Sequence, residues 1–102
     1  MKRIYIAHPF ASDPEANKAA MLGICRRIAL AGDMPLAPAI YFPKFLDDTK
    51  DTEREIGLVM ALRLLDVCDE VWYYGPSKNS FALAEKVYAV SKNIKVIDQP
   101  PA

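Results

Sequence analysis

At 102 residues the chain holds one domain and not two. Thirteen basic and thirteen acidic residues cancel, so no basic excess draws it to nucleic acid, and 52% apolar with 25% charged residues is the balance of a soluble globular protein rather than of a membrane or disordered one. The two cysteines, Cys25 and Cys68, fall in apolar stretches away from any Cys-x-x-Cys or Cys/His spacing, which reads as two buried thiols in a reducing, cytoplasmic setting.

The first element is Ile4-Tyr5-Ile6-Ala7, β-branched and aromatic and apolar on both faces, as in a central parallel strand. It stops at His8-Pro9-Phe10, so the only histidine falls at a strand's carboxyl end. A helix follows. Ser12 with Glu15 fits a capping box, and Asp13 with Pro14 fits the alternative of an N-cap and a first-turn proline. Met21, Ile24, Cys25 and Ile28 give that helix one apolar stripe, and Gly32 supplies its left-handed cap.

Met34 to Ala37 predicts a short second strand, and 38–51 a long connection of the kind that carries function. Thr52 and Glu55 supply a capping box for a second helix ending near Leu65. The most apolar stretch, Ile56 to Val67, is broken by Arg63 and Asp66 and is too short for a bilayer, and nothing at the start resembles a signal peptide. Val71 to Tyr74 predicts the third strand, closed by Gly75-Pro76. Asn79 or Ser80 caps a third helix, Phe81 to Ser91. Ile94 to Ile97 is the last strand, with Asp98 and the residues behind it fraying and the domain spanning 1–98 ahead of a tail at 99–102.

This βαβαβαβ order predicts a doubly wound, three-layer α/β domain with a four-stranded, mainly parallel sheet. Such sheets bind ligands at the carboxyl ends of their strands, near the point where strand order reverses. Three segments meet at that edge: His8 to Phe10, the 38–51 connection, and Gly75 to Ser80. The last opens a helix, whose free N–H groups suit an anion, although neither G-x-x-x-x-G-K-[ST] nor G-x-G-x-x-G is present.

His8 is either a pocket residue or a half-exposed strand end, and its position serves both readings. Glu85 has Phe81 four residues before it and Ala89 four after, so no helical ion pair accounts for it. It is a solvated helix glutamate or a carboxylate aimed at the pocket floor. Tyr5 shares a strand face with Ala7 and reads as core with a hydroxyl in need of a partner. Asp47, Asp48, Asp51, Glu53 and Glu55 crowd one region, but their spacing fits no EF-hand and no His/Cys set accompanies them, so no metal is expected. Tyr41, Phe42 and Phe45 could stack on a nucleobase or bury in a contact between copies of the chain.

Taken together, YIAHPF, Asn17, GDMPLAPAIYFPKFLDD, ER-x-x-GL-x-M and LLDVCDEVWYYG resemble a family of small uncharacterised proteins related to the nucleoside 2-deoxyribosyltransferases and the deoxynucleoside 5'-monophosphate N-hydrolases. The likeness runs over roughly residues 3–90. It implies a Rossmann/flavodoxin-like fold and cleavage of an N-glycosidic bond by a glutamate on the helix after the third strand, a position that Glu85 matches. His8 or Asp48 would then protonate the leaving base. Tyr5, Ala7, Pro9, Phe10, Asn17, Tyr41, Arg54, Gly75, Asn79 and Ser80 would surround a nucleoside- or nucleotide-like molecule. No cofactor, nucleic acid or membrane is implied, and a homo-oligomer of two or more copies is.

Two positions depart from the related enzymes. Phe81 stands where they place a small residue ahead of the glutamate, and Ala61 stands where many carry an aspartate, eight residues before the one matched by Asp69. Those departures keep a second expectation in view, a non-catalytic module that binds a nucleotide derivative or another protein in the same hollow.

Overall fold

A computed structural model describes residues 1–75 and 80–100. The elements are β1 (Arg3–Ala7), α1 (Pro14–Leu30), β2 (Met34–Leu36), α2 (Pro38–Tyr41), a 3-10 turn (Phe42–Lys44), α3 (Asp51–Leu65), β3 (Glu70–Tyr74), α4 (Ser80–Ser91) and β4 (Lys95–Gln99). The four strands form one sheet in the order β2-β1-β3-β4, and every pairing is parallel. This is a doubly wound α/β domain of flavodoxin-like type.

Alternation along β1 assigns the layers. Ile4 and Ile6 pack with Met21, Ile24 and Ile28 of α1 on one face. Tyr5 and Ala7 pack on the other with Ala61 and Leu65 of α3 and Ala82 and Ala89 of α4. A strand covered on both sides is apolar at successive positions, which is why it reads as a continuous run rather than an alternation. Two aspartates fix the strand starts. Asp33 accepts from the Lys2 N–H at 2.9 Å, and Asp69 accepts from the Arg3 N–H at 2.7 Å. Each carboxylate thus ties the residue leading into β2 or β3 to the beginning of β1.

Between the two possible starts of α1, the chain uses Asp13, whose side chain accepts from the Ala16 N–H at 3.3 Å, with Pro14 in the first turn. The helix ends at Ala31, and Gly32 follows at φ +95°, the left-handed conformation that a side chain would strain.

Three local expectations are corrected. The 38–51 connection is not plain loop, because its first seven residues coil into α2 and the 3-10 turn, with Pro38 buried at the start. The Thr52/Glu55 capping box does not form. The helix begins two residues earlier, behind Lys50, and Glu53 reaches back to accept from the Asp47 N–H at 3.0 Å. Finally, Asp98 and Gln99 do not fray. They pair with Tyr73 and Tyr74 in β4, and Asp98 is held by Lys86 at 3.0 Å.

The chain turns one way from β1 to β2 and the other way from β2 to β3, so strand order reverses between β1 and β3. At a reversal the two crossover helices lie on opposite faces and leave a crevice at the strands' carboxyl ends.

Candidate active site

A cavity of about 750 Å³ occupies that crevice. Its walls come from every element that ends there: His8, Pro9 and Phe10 behind β1, Asn17 of α1, Phe42 and Leu46 of the 38–51 segment, Gly57 and Ala61 of α3, Tyr74 and Gly75 at the end of β3, and Phe81 and Glu85 of α4. The lining is mainly apolar with a few polar groups, the usual make-up of a small-molecule site.

Glu85 is the feature that packing alone does not account for. It is 4% exposed, yet it lines the cavity. Its partner is the Tyr5 hydroxyl, which donates to Oε2 from the middle of β1, 80 residues away in sequence. Burial pushes the Glu85 carboxyl up to about 8, and the hydrogen bond from Tyr5 opposes that rise. Tyr5 itself titrates well above an ordinary phenol, because it is buried and faces a carboxylate, so it stays a proton donor. A carboxyl group held this way carries its proton at neutral pH and sits close to the point of losing it.

His8 is 8% exposed and its ring packs on Tyr74, with centroids 5.2 Å apart. Its Nδ1 lies 2.8 Å from the Pro9 carbonyl oxygen. A carbonyl only accepts, so Nδ1 is the nitrogen that carries a hydrogen in this contact. The Asn17 side-chain amide donates to the Phe10 carbonyl at 3.1 Å and to the Ser12 hydroxyl at 3.2 Å, pinning the β1–α1 turn to its helix.

The structure therefore brings Glu85, His8, Asp48, Pro9, Phe10, Asn17, Arg54 and Gly75 to one cavity. It separates others. Tyr5 and Ala7 are fully buried in the sheet and absent from the lining, so Tyr5 stands behind Glu85 rather than against a ligand. Tyr41 is 61% exposed and not part of the lining; Phe42, its neighbour in the aromatic trio with Phe45, is the ring that lines the cavity. Asn79 lies outside the described residues, as does the side chain of Ser80. Tyr74 is a wall residue that the sequence reading does not single out; the signal available for it is its place at the end of β3, beside the reversal point. Cys68 is buried and Cys25 half-buried, and both are free thiols. Burial pushes Cys68 up to about 11, which leaves it inert.

The fold is a doubly wound α/β domain with a buried carboxyl beside a cavity at its reversal point. The chain belongs to the family described as a domain of unknown function, DUF7768, whose model matches residues 2–98. Comparison with curated protein sequences gives no match. Among solved structures, a 2-deoxyribosyltransferase from the psychrotolerant bacterium Bacillus psychrosaccharolyticus superposes with a TM-score of 0.77 at 14% identity, over 98% of this chain and 73% of that one. A 2-deoxyribosyltransferase from Leishmania mexicana gives 0.65 at 18% identity, over 98% and 65%. At these identities the likeness is one of fold.

Proposed function

We propose that the protein cleaves or transfers the N-glycosidic bond of a nucleoside or nucleoside monophosphate, with Glu85 as nucleophile. The observation that carries this reading is the buried Glu85 carboxyl at the cavity wall, anchored by Tyr5 on one oxygen. The fold likeness to two 2-deoxyribosyltransferases supports it.

In this reading the Glu85 carboxylate attacks the anomeric carbon, the C–N bond breaks, and its electron pair leaves with the base. Glu85 reacts as the carboxylate, its proton already lost to solvent, and the departing base takes its proton from His8 or Asp48. Water then opens the glycosyl ester in a hydrolase, and a second base opens it in a transferase. The apolar walls around Phe10, Phe42 and Leu46 suit a nucleobase, and they keep water from the ester until the acceptor arrives.

Ala61 favours a second reading. It lines the cavity from α3 and brings no carboxylate there, so a binding module that holds a nucleotide derivative without turnover fits the same hollow. The two readings part in one experiment. The purified protein is incubated with 2'-deoxynucleosides and their 5'-monophosphates, with and without a second base, and chromatography follows the free base and any new nucleoside. Catalysis predicts product from the native chain and about 1,000-fold less, or none, from Glu85→Ala. Ligand-induced thermal stabilisation with no product over hours establishes the module instead.

A further inference from the structure

The proposed reaction draws the base's proton from one of two residues, and the fold separates them. A nucleophile and the group it displaces lie on opposite sides of the carbon between them, so the acid stands across the sugar from Glu85. Glu85 reaches the cavity from α4, in the layer that α4 shares with α3, with Tyr5 behind it. Asp48 is exposed and lies on the turn that leads into α3, a helix of that same layer. Ala61 of α3 brings no carboxylate. Glu53 already accepts from the Asp47 N–H at 3.0 Å and meets Lys50 at 3.9 Å.

His8 comes from the other layer. Alternation along β1 turns Ile4 and Ile6 toward α1, and His8 is next in that series. Its ring packs on Tyr74, which belongs to the α1 cluster, with centroids 5.2 Å apart and planes tilted by 46°. Its Nδ1 donates to the Pro9 carbonyl at 2.8 Å. A ring tied at one nitrogen presents the other, and among the described residues Nε2 has no hydrogen-bond partner. His8 is buried and yet lines the cavity, so a ligand is what Nε2 meets there.

We propose that His8 is the acid that protonates the departing base, and that Tyr74 is the residue that positions it. Nucleophile and acid are then supplied from opposite faces of the sheet, at the point where strand order reverses. This inference rests on the glycosidic reaction proposed above. A Glu85 oxygen bonds to the anomeric carbon, the C–N electron pair stays with the base, and the imidazolium gives its Nε2 proton to the base and is left neutral. In the second half, water or the N–H of an incoming base bonds to the anomeric carbon and returns a proton to Nε2, and Glu85 leaves as the carboxylate. Protons and charge balance over the cycle without a further reactant. The Pro9 hydrogen bond alone lets an imidazole swing, and the Tyr74 ring packed on it stops that swing.

Two substrates tell an acid from a wall. 2'-Deoxyguanosine needs its base protonated as the bond breaks, whereas N7-methyl-2'-deoxyguanosine carries a base that is already positive and leaves neutral without a proton. Chromatography of the released base gives kcat/KM for each. His8→Asn keeps a donor for the Pro9 carbonyl and lacks Nε2. It is expected to lose about 1,000-fold on 2'-deoxyguanosine and less than about tenfold on the methylated substrate. Tyr74→Leu is expected to lose about tenfold on 2'-deoxyguanosine alone, most of it recovered by Tyr74→Phe, which keeps the ring. Glu85→Ala is expected to lose both substrates. Circular dichroism checks the fold of each variant, and His8→Gln takes the place of His8→Asn if that chain does not fold. Equal losses on the two substrates in the His8 variant overturn the assignment and leave the glycosidic reaction standing. A selective loss in Asp48→Asn, with none in the His8 variant, overturns it and moves the acid to Asp48. A native chain that releases base from neither substrate removes the reaction itself, and the assignment with it.

Discussion

Glu70 and Glu85 are buried almost equally, at 5% and 4% exposure, yet their surroundings have little in common. Glu70 opens β3 near the amino ends of the strands. It accepts from the Trp72 indole at 2.9 Å and meets Lys2 at 3.4 Å, so its charge is answered by a cation and a hydrogen bond. Glu85 stands at the opposite end of the sheet against the cavity, and its partner is a phenol, which carries no charge. The same side chain, removed from water to the same extent, is a structural tie in one place and a poised acid in the other. Burial alone does not mark a functional carboxylate. What sets Glu85 apart, and what the proposed function rests on, is burial at the reversal point with no cation paired to it among the described residues.

The largest effect expected from this contrast is on stability against pH. The Glu85 carboxyl titrates near 4.5 when unfolded and about 8 when folded. The folded state therefore keeps a proton that the unfolded state has lost, and stability falls as pH rises from about 4.5 to about 8, then levels off. A tenfold difference in proton affinity between the two states corresponds to about 1.4 kcal/mol. Glu85→Gln removes that loss, so the variant should match the native chain near pH 4.5 and exceed it by a few kcal/mol at pH 8 in urea titrations. Equal stabilities at both pH values would break the contrast. Glu70→Leu should act in the opposite direction. It leaves the Trp72 N–H without its acceptor, at a cost of about 1–3 kcal/mol at neutral pH.

The smallest effect sharpens the role of Tyr5. Tyr5→Phe removes the hydrogen bond that favours the ionised carboxyl, so the Glu85 midpoint moves upward. Under the proposed reaction kcat/KM should rise with pH around 8 in the native chain, and in the variant that rise should move to higher pH, with about a tenfold loss at neutral pH and kcat largely restored in alkali. A purely structural Tyr5 would lower the melting temperature without moving the profile.

The sheet was legible in the sequence because its signals are local and redundant. Runs such as Ile4–Ala7, and punctuation by Gly32 and Gly75, report strand and turn without outside help. The same holds for His8, placed by its position at a strand end. Legibility failed where a side chain chooses among partners far along the chain. Tyr5 is legible as core with a hydroxyl in need of a partner, but nothing local names Glu85, 80 residues on, as that partner. Tyr41 and Phe42 are adjacent rings, and only the coiling of α2 into the 3-10 turn decides which one turns inward. The capping box at Thr52 and Glu55 met every local criterion and lost to Glu53, whose reach to Asp47 depends on the turn before the helix.

The Tyr5–Glu85 contact joins positions 80 residues apart, and it crosses from β1 to the helix made nearly last. A ribosome must release most of the chain before the two groups can meet, and a contact of such long range forms late in any folding order. No amino-terminal fragment that lacks α4 can hold the pair. The arrival of the carboxyl's displaced midpoint, followed during refolding, would therefore time the closing of the whole domain.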